Sequence, residues 1–179
     1  MHLLDAAGQT VLRETVPCPA VPAGEERTLR LCRTVRVPVK WNAEQPYLYT
    51  LVWELRDGAG AVAEIASCRV GFRQVEIRAG QILVNGVPVV LRGVNRHEHD
   101  PLKGKTVDEA SMLQDIRLIK QHNLNAVRTC HYPNHPRWYE LCDEYGVYLI
   151  DEANVECHGH LATSDDPLFT AAYGERGTR

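Results

Sequence analysis

A chain of 179 residues with 44% hydrophobic and 7% aromatic side chains carries apolar material for one large domain or two small ones. Its 20 basic and 23 acidic residues leave a formal charge of -3, which argues against a nucleic-acid surface. No apolar run approaches the roughly 18 residues that span a bilayer, and the start, Met-His-Leu-Leu-Asp-Ala, lacks the long apolar stretch of a signal peptide. A cytoplasmic protein without a membrane partner is expected.

The cysteines, at 18, 32, 68, 130, 142 and 157, form no C-x-x-C pair and read as free thiols. Cys142 has the setting of a small buried hydrophobe. Cys130 neighbours His131, but adjacent residues on a strand point to opposite faces, so a thiol–imidazole pair is not expected there.

Residues 1–73 read as β. Thr28–Val39 contains the alternation Leu29-Arg-Leu-Cys-Arg-Thr-Val-Arg-Val37, Tyr47–Leu55 alternates again, and Asp57-Gly58-Ala-Gly60 marks a turn before Val62–Val70. Short alternating strands between Gly, Pro and Asp clusters indicate a sandwich, and three or four strands are too few to close one. From Gly71 the pattern changes. Val75-Glu-Ile77 and Ile82-Leu-Val84 lead to Asn85-Gly86, a type I′ hairpin signal. Val87–Leu91 is nearly all apolar, as a buried barrel strand would be, and runs into Arg92-Gly-Val-Asn-Arg-His-Glu-His-Asp100.

Thr106 and Glu109 have capping-box spacing ahead of a helical stripe of Leu113, Ile116 and Ile119 or Lys120, broadened by Leu118. Asn123 breaks it. Leu124–Val127 forms the next strand and carries into Arg128, His131 and Tyr132. Asn134 or His135 can cap a helix beginning at Pro136, with Trp138, Leu141, Cys142 and Tyr145 on one face and Gly146 as its stop. Val147–Ile150 is a third strand, ending in Asp151-Glu-Ala-Asn-Val-Glu-Cys-His-Gly159. Asp165-Asp-Pro167 can open a short helix. Strands alternating with helices, each delivering polar residues past its C-terminal end, describe the site-bearing face of a (β/α) barrel. Eight units need about 250 residues, so a truncated barrel is expected.

Several residues could carry chemistry. Glu156 and His158 stand two apart and would face one way on an extended segment. They form a usable metal pair, or a carboxylate and imidazole bonded to neighbours. His97 and His131 could offer ring nitrogens to hydroxyl groups or act structurally. Arg128, at the end of its strand, could form a salt bridge with Glu152 or Asp151. Asp151 and Glu152 are adjacent and point apart, so they cannot face one substrate as an acid–base pair. With Asn95 they line and support the site.

Gly93-Val-Asn-Arg-His-Glu-His-Asp100, Asn125-Ala-Val-Arg-Thr-Cys-His-Tyr-Pro133 and Asp151–Gly159 resemble, in order and spacing, the glycoside hydrolase family that contains the β-galactosidases and β-glucuronidases. The resemblance runs from about Trp41 to Arg179 and more faintly before. Trp41–Tyr49 is similar to the family's link into the last strands of its immunoglobulin-like domain. The resemblance implies a multidomain β plus α/β protein. Residues 1–73 would be part of an immunoglobulin-like β-sandwich, and 74–179 the first three βα units of a (β/α)8 TIM barrel.

Asn154-Val-Glu-Cys-His-Gly159 resembles the galactosidase branch, which implies a retaining enzyme acting on terminal β-D-galactosides. The alternatives are a β-glucuronidase or related glycosidase, and a non-catalytic fragment that folds only with a complementary chain. By the same resemblance His97 and His131 line the sugar site and Arg128 holds the nucleophile. Glu156 and His158 would bind magnesium, with sodium allowed in the complete enzyme. The general acid and nucleophile would lie beyond residue 179, leaving the isolated chain inactive, and the full-length enzyme would be a homo-oligomer.

Overall fold

The computed structural model describes residues 1–178 and divides into two compact units. The first comprises Met1–Trp41 and Tyr47–Gln74. It holds an antiparallel sheet of β1 (His2–Leu4), β2 (Thr10–Arg13), β3 (Tyr49–Arg56) and β4 (Val62–Val70), in the order β2-β1-β3-β4. The predicted turn joins β3 to β4, with the Asp57 carboxylate accepting from the backbone N–H of Ala59 and Ala61, both at 2.9 Å. Trp41 and Tyr49 are buried. The Trp41 N–H donates to the Phe72 carbonyl at 2.8 Å, and the Arg73 guanidinium stacks 4.9 Å from the indole centroid. Gly71 packs tightly there: a Cβ would sit 3.0 Å from Trp41 Cβ.

Thr28–Val39, expected to contain strand, contains none, and it is mostly exposed. Its alternation places Arg30 and Arg36 between apolar residues, but no facing strand covers the apolar set. A strand is held by what it packs against rather than by its own pattern. β4 shows the same shortage of cover, with Ile65 62% exposed.

The second unit comprises Asn42–Pro46 and the chain from Val75 onward. It opens with a small sheet of β5 (Val75–Arg78), β6 (Gln81–Val84) and β7 (Val87–Pro88). Asn85 at φ 54° and Gly86 at φ 82° make the expected turn. Val87–Leu91, however, is not the buried barrel strand. β7 stops at Pro88, and Val87 and Val90 are exposed. Proline has no N–H to continue a ladder and belongs at a sheet edge.

The parallel sheet starts later, with β8 (Gly93–Arg96), β9 (Ala126–Thr129) and β10 (Tyr148–Ile150), ordered β10-β9-β8. These three strands are the start of a TIM barrel, and among the described residues the sheet does not close. Gly93 pairs with Ala126, and a Cβ at 93 would lie 2.5 Å from the Ala126 carbonyl oxygen, so the first barrel strand begins with the residue that lets β9 approach.

Helix α1 (Glu109–Gln121) is capped by Asp108, whose carboxylate accepts from Ser111 N–H at 3.0 Å; the Thr106–Glu109 box does not form. An ionised cap gains from the helix dipole as well as from its hydrogen bond. Met112, Ile116 and Ile119 form the buried stripe, whereas Leu118 is exposed. Helix α2 (Pro136–Tyr145) follows expectation: the His135 ring accepts from Arg137 N–H, and Gly146 ends it at φ 72°. Trp138 and Leu141 are fully buried and, with Cys142, Val127 and Val147, complete one core behind the sheet. Burial pushes the Cys142 thiol up to about 12. The helix after Asp166 continues as α3 (Thr170–Thr178). Among the described residues no helix is long and apolar enough to cross a membrane.

Candidate active site: a clamped carboxylate at the strand ends

Asn95, Arg128 and Ile150 are in register across the parallel sheet, so strand pairing alone aligns Asn95 with Arg128 one residue short of the strand ends. The Arg128 guanidinium donates from Nε to Glu152 Oε1 at 2.5 Å and from Nη1 to Asn95 Oδ1 at 3.5 Å. Its Nη2 lies 3.1 Å from His131 Nδ1. His131 Nδ1 also lies 2.9 Å from Glu152 Oε2, so both carboxylate oxygens are engaged. On the other side of the ring, His131 Nε2 is 3.6 Å from Glu156 Oε1.

Loss of water pushes the Glu152 carboxyl up, but the hydrogen bonds and charges of Arg128 and His131 together outweigh it and hold it below the usual carboxylate range. Reciprocally, the hydrogen bond to Glu152 raises Arg128 further above its ordinary value. Glu152 is therefore a fixed anion at neutral pH, unsuited to donate a proton. The salt bridge anticipated for Arg128 is present.

Asp151 turns elsewhere, accepting from Thr129 Oγ1 at 2.8 Å and the Tyr139 hydroxyl at 3.0 Å. The two adjacent acids thus have separate partners. His97 is exposed, and its ring packs edge-on against His131 at 5.4 Å between centroids.

Two expectations based on strand alternation need correction. Cys130 and His131 do not point apart, because β9 ends at Thr129 and alternation stops there. One donor atom each from His97, Cys130 and His131 lies within 4.8 Å of the others. The stretch holding Glu156 and His158 is likewise no strand: Asn154 takes φ 56° and His158 opens a turn, so two-residue spacing does not by itself align that pair.

Arg96, which the sequence motifs do not single out, supports the site from below. It is buried under the site, donating to Asp115 at 2.8 Å and Asn134 at 2.7 Å, with its guanidinium carbon 3.9 Å from the Trp138 ring centroid. Its Nη1 is 3.5 Å from Glu98, whose carboxylate accepts the His135 N–H. Alternation from Asn95 directs Arg96 toward the helices. A charged residue sent into an apolar layer was the available signal.

Comparison with known proteins places the chain in a family. The sequence model described as "Glycosyl hydrolases family 2, TIM barrel domain" matches residues 75–173, and that described as "Glycosyl hydrolases family 2" matches 3–73. A β-galactosidase of Alteromonas mediterranea is 56% identical over 148 residues, covering 81% of this chain and 14% of that protein. One of Vibrio cholerae is 55% identical over 154 residues, covering 84% and 15%. A β-glucuronidase structure from Ruminococcus gnavus in complex with D-glucuronic acid is similar at a TM-score of 0.68 and 34% identity, covering 84% of this chain and 24% of that one. The chain spans 14 to 16% of the length of the curated relatives it matches. With one match across the β unit and another across more than half of its residues, the chain belongs to glycosyl hydrolase family 2.

Proposed function

We propose that this chain supplies one side of the sugar site of a retaining β-galactosidase. The observation that carries the reading is the Glu152 carboxylate, clamped by Arg128 and His131 beside His97 at the C-terminal ends of parallel strands. Identity of 55–56% to β-galactosidases over most of the chain supports that branch. Glu152, held ionised, sets the charge and orientation of Arg128 and His131 rather than working as the acid, which needs a raised pKa. Arg128 then presents its remaining N–H groups to a catalytic carboxylate. His97 and His131 meet sugar hydroxyls through hydrogen bonds that strengthen as the ring flattens toward its oxocarbenium-like state. The general acid and nucleophile are assigned to residues outside these 179, and the chain alone should give no turnover.

Of the two donors for magnesium, Glu156 is a half-exposed carboxylate, the hard oxygen ligand that this ion takes alongside several waters, and His158 is an exposed imidazole nearby in sequence. Glu156 and His158 would hold it, and when bound it supplies a fixed positive charge on the acid side of the site.

In the complete enzyme, His131→Ala should lower turnover of an aryl β-galactoside by about a hundredfold or more, with little loss of ground-state binding. Glu156→Gln should chiefly weaken magnesium binding, so that added magnesium restores part of its activity and none of the His131 variant's. Wild-type turnover and metal dependence in both variants would overturn the site assignment. Preference for an aryl β-glucuronide would move the chain to the branch of the R. gnavus enzyme.

A further inference from the structure

We infer that His97, Cys130 and His131 form a site for a thiophilic divalent cation, with zinc or cadmium as the fitting ions. The site is chemically separate from the magnesium donors and does not depend on the glycosidase reading. One donor atom from each of the three residues lies within 4.8 Å of the other two. A tetrahedral zinc with bonds of about 2.3 Å to sulfur and 2.0–2.1 Å to nitrogen needs donors roughly 3.3–3.6 Å apart. At its widest the cluster therefore contracts by about 1.2–1.5 Å, within reach of rotations of the two imidazoles.

Two imidazoles and a thiol are a soft to borderline donor set, which selects zinc-like ions and rejects magnesium. Cys130 is buried, while His97 is exposed and gives an entry path. Arg128 Nη1 donates toward Cys130 Sγ at 3.8 Å, so the sulfur faces the strand-end cluster. Glu152 beside His131 Nδ1 is the carboxylate–histidine contact that commonly orients a metal-binding ring. On binding, Cys130 loses its proton to solvent and three protein donors are filled, leaving the fourth position to water. The occupied site removes His97 and His131 from any other ligand.

The test is a cobalt(II) titration of the 179-residue chain, read by thiolate-to-cobalt charge-transfer absorption. We expect one equivalent to give the band, zinc to abolish it, and magnesium in large excess to leave it unchanged. Cys130→Ser should remove the band. His97→Gln, at an exposed position, should weaken cobalt binding more than about tenfold. Cys157→Ser should leave the titration unchanged. A missing band in the unsubstituted chain, a band that survives both Cys130→Ser and His97→Gln, or displacement by magnesium overturns the inference.

Discussion

The parallel sheet has two very different surroundings. Behind it, Val127, Ile116, Trp138 and Leu141 are buried to 1% exposure or less against α1 and α2. At its C-terminal ends, Arg128, His131 and Glu152 remain 25–36% exposed and touch one another through charged hydrogen bonds. Apolar burial contributes stability in proportion to area removed from water, whereas partly wet ion pairs contribute little to it. The comparison assigns folding to the helix side and chemistry to the strand ends, and substitutions should separate the two.

The largest effect expected is on the helix side. Trp138→Ala should destabilise the second unit by about 3–5 kcal/mol through the cavity it leaves, read as a lowered denaturant midpoint. Arg96→Leu should cost about 2–3 kcal/mol, because charge-assisted hydrogen bonds to Asp115 and Asn134 are lost together. If Arg96→Leu is neutral, the division between a structural and a chemical side is sharper than described. Gly146→Ala should cost more than about 1 kcal/mol, since φ of 72° strains any other residue. A Cβ there would also run into the Ala43 carbonyl.

Glu152→Gln should have the smallest effect on stability, and it is dependent on pH. The folded pKa of Glu152 lies below its ordinary 4.5, so its contribution is present above pH 4.5 and is lost as pH falls through the lower folded value. The variant should show a shallower acid limb below pH 4.5 and little change at neutral pH. An identical limb in both proteins would mean that the clamp on Glu152 does not persist in solution.

The helix side was legible in the sequence because punctuation is local. Pro136, His135 and Gly146 bound α2, and Trp138, Leu141 and Cys142 share a face at helical spacing. Arg128, His131 and Glu152 could be placed near the strand ends for the same reason. What failed depended on partners distant in sequence. Thr28–Val39 alternates without a covering face, and Val87–Leu91 is apolar without being central. Beyond Thr129, Cys130 no longer obeys strand alternation, and so its approach to His97 across the strand ends was hidden.

Arg96 ties β8 to Asp115 in α1 and to Asn134 just ahead of α2, while its neighbour Glu98 holds the His135 amide. Three elements thus share one cation. Opening the start of α2 alone would strand that cation, so amide hydrogens of β8, the middle of α1 and the first turn of α2 should exchange with solvent through a common event rather than through separate local fraying.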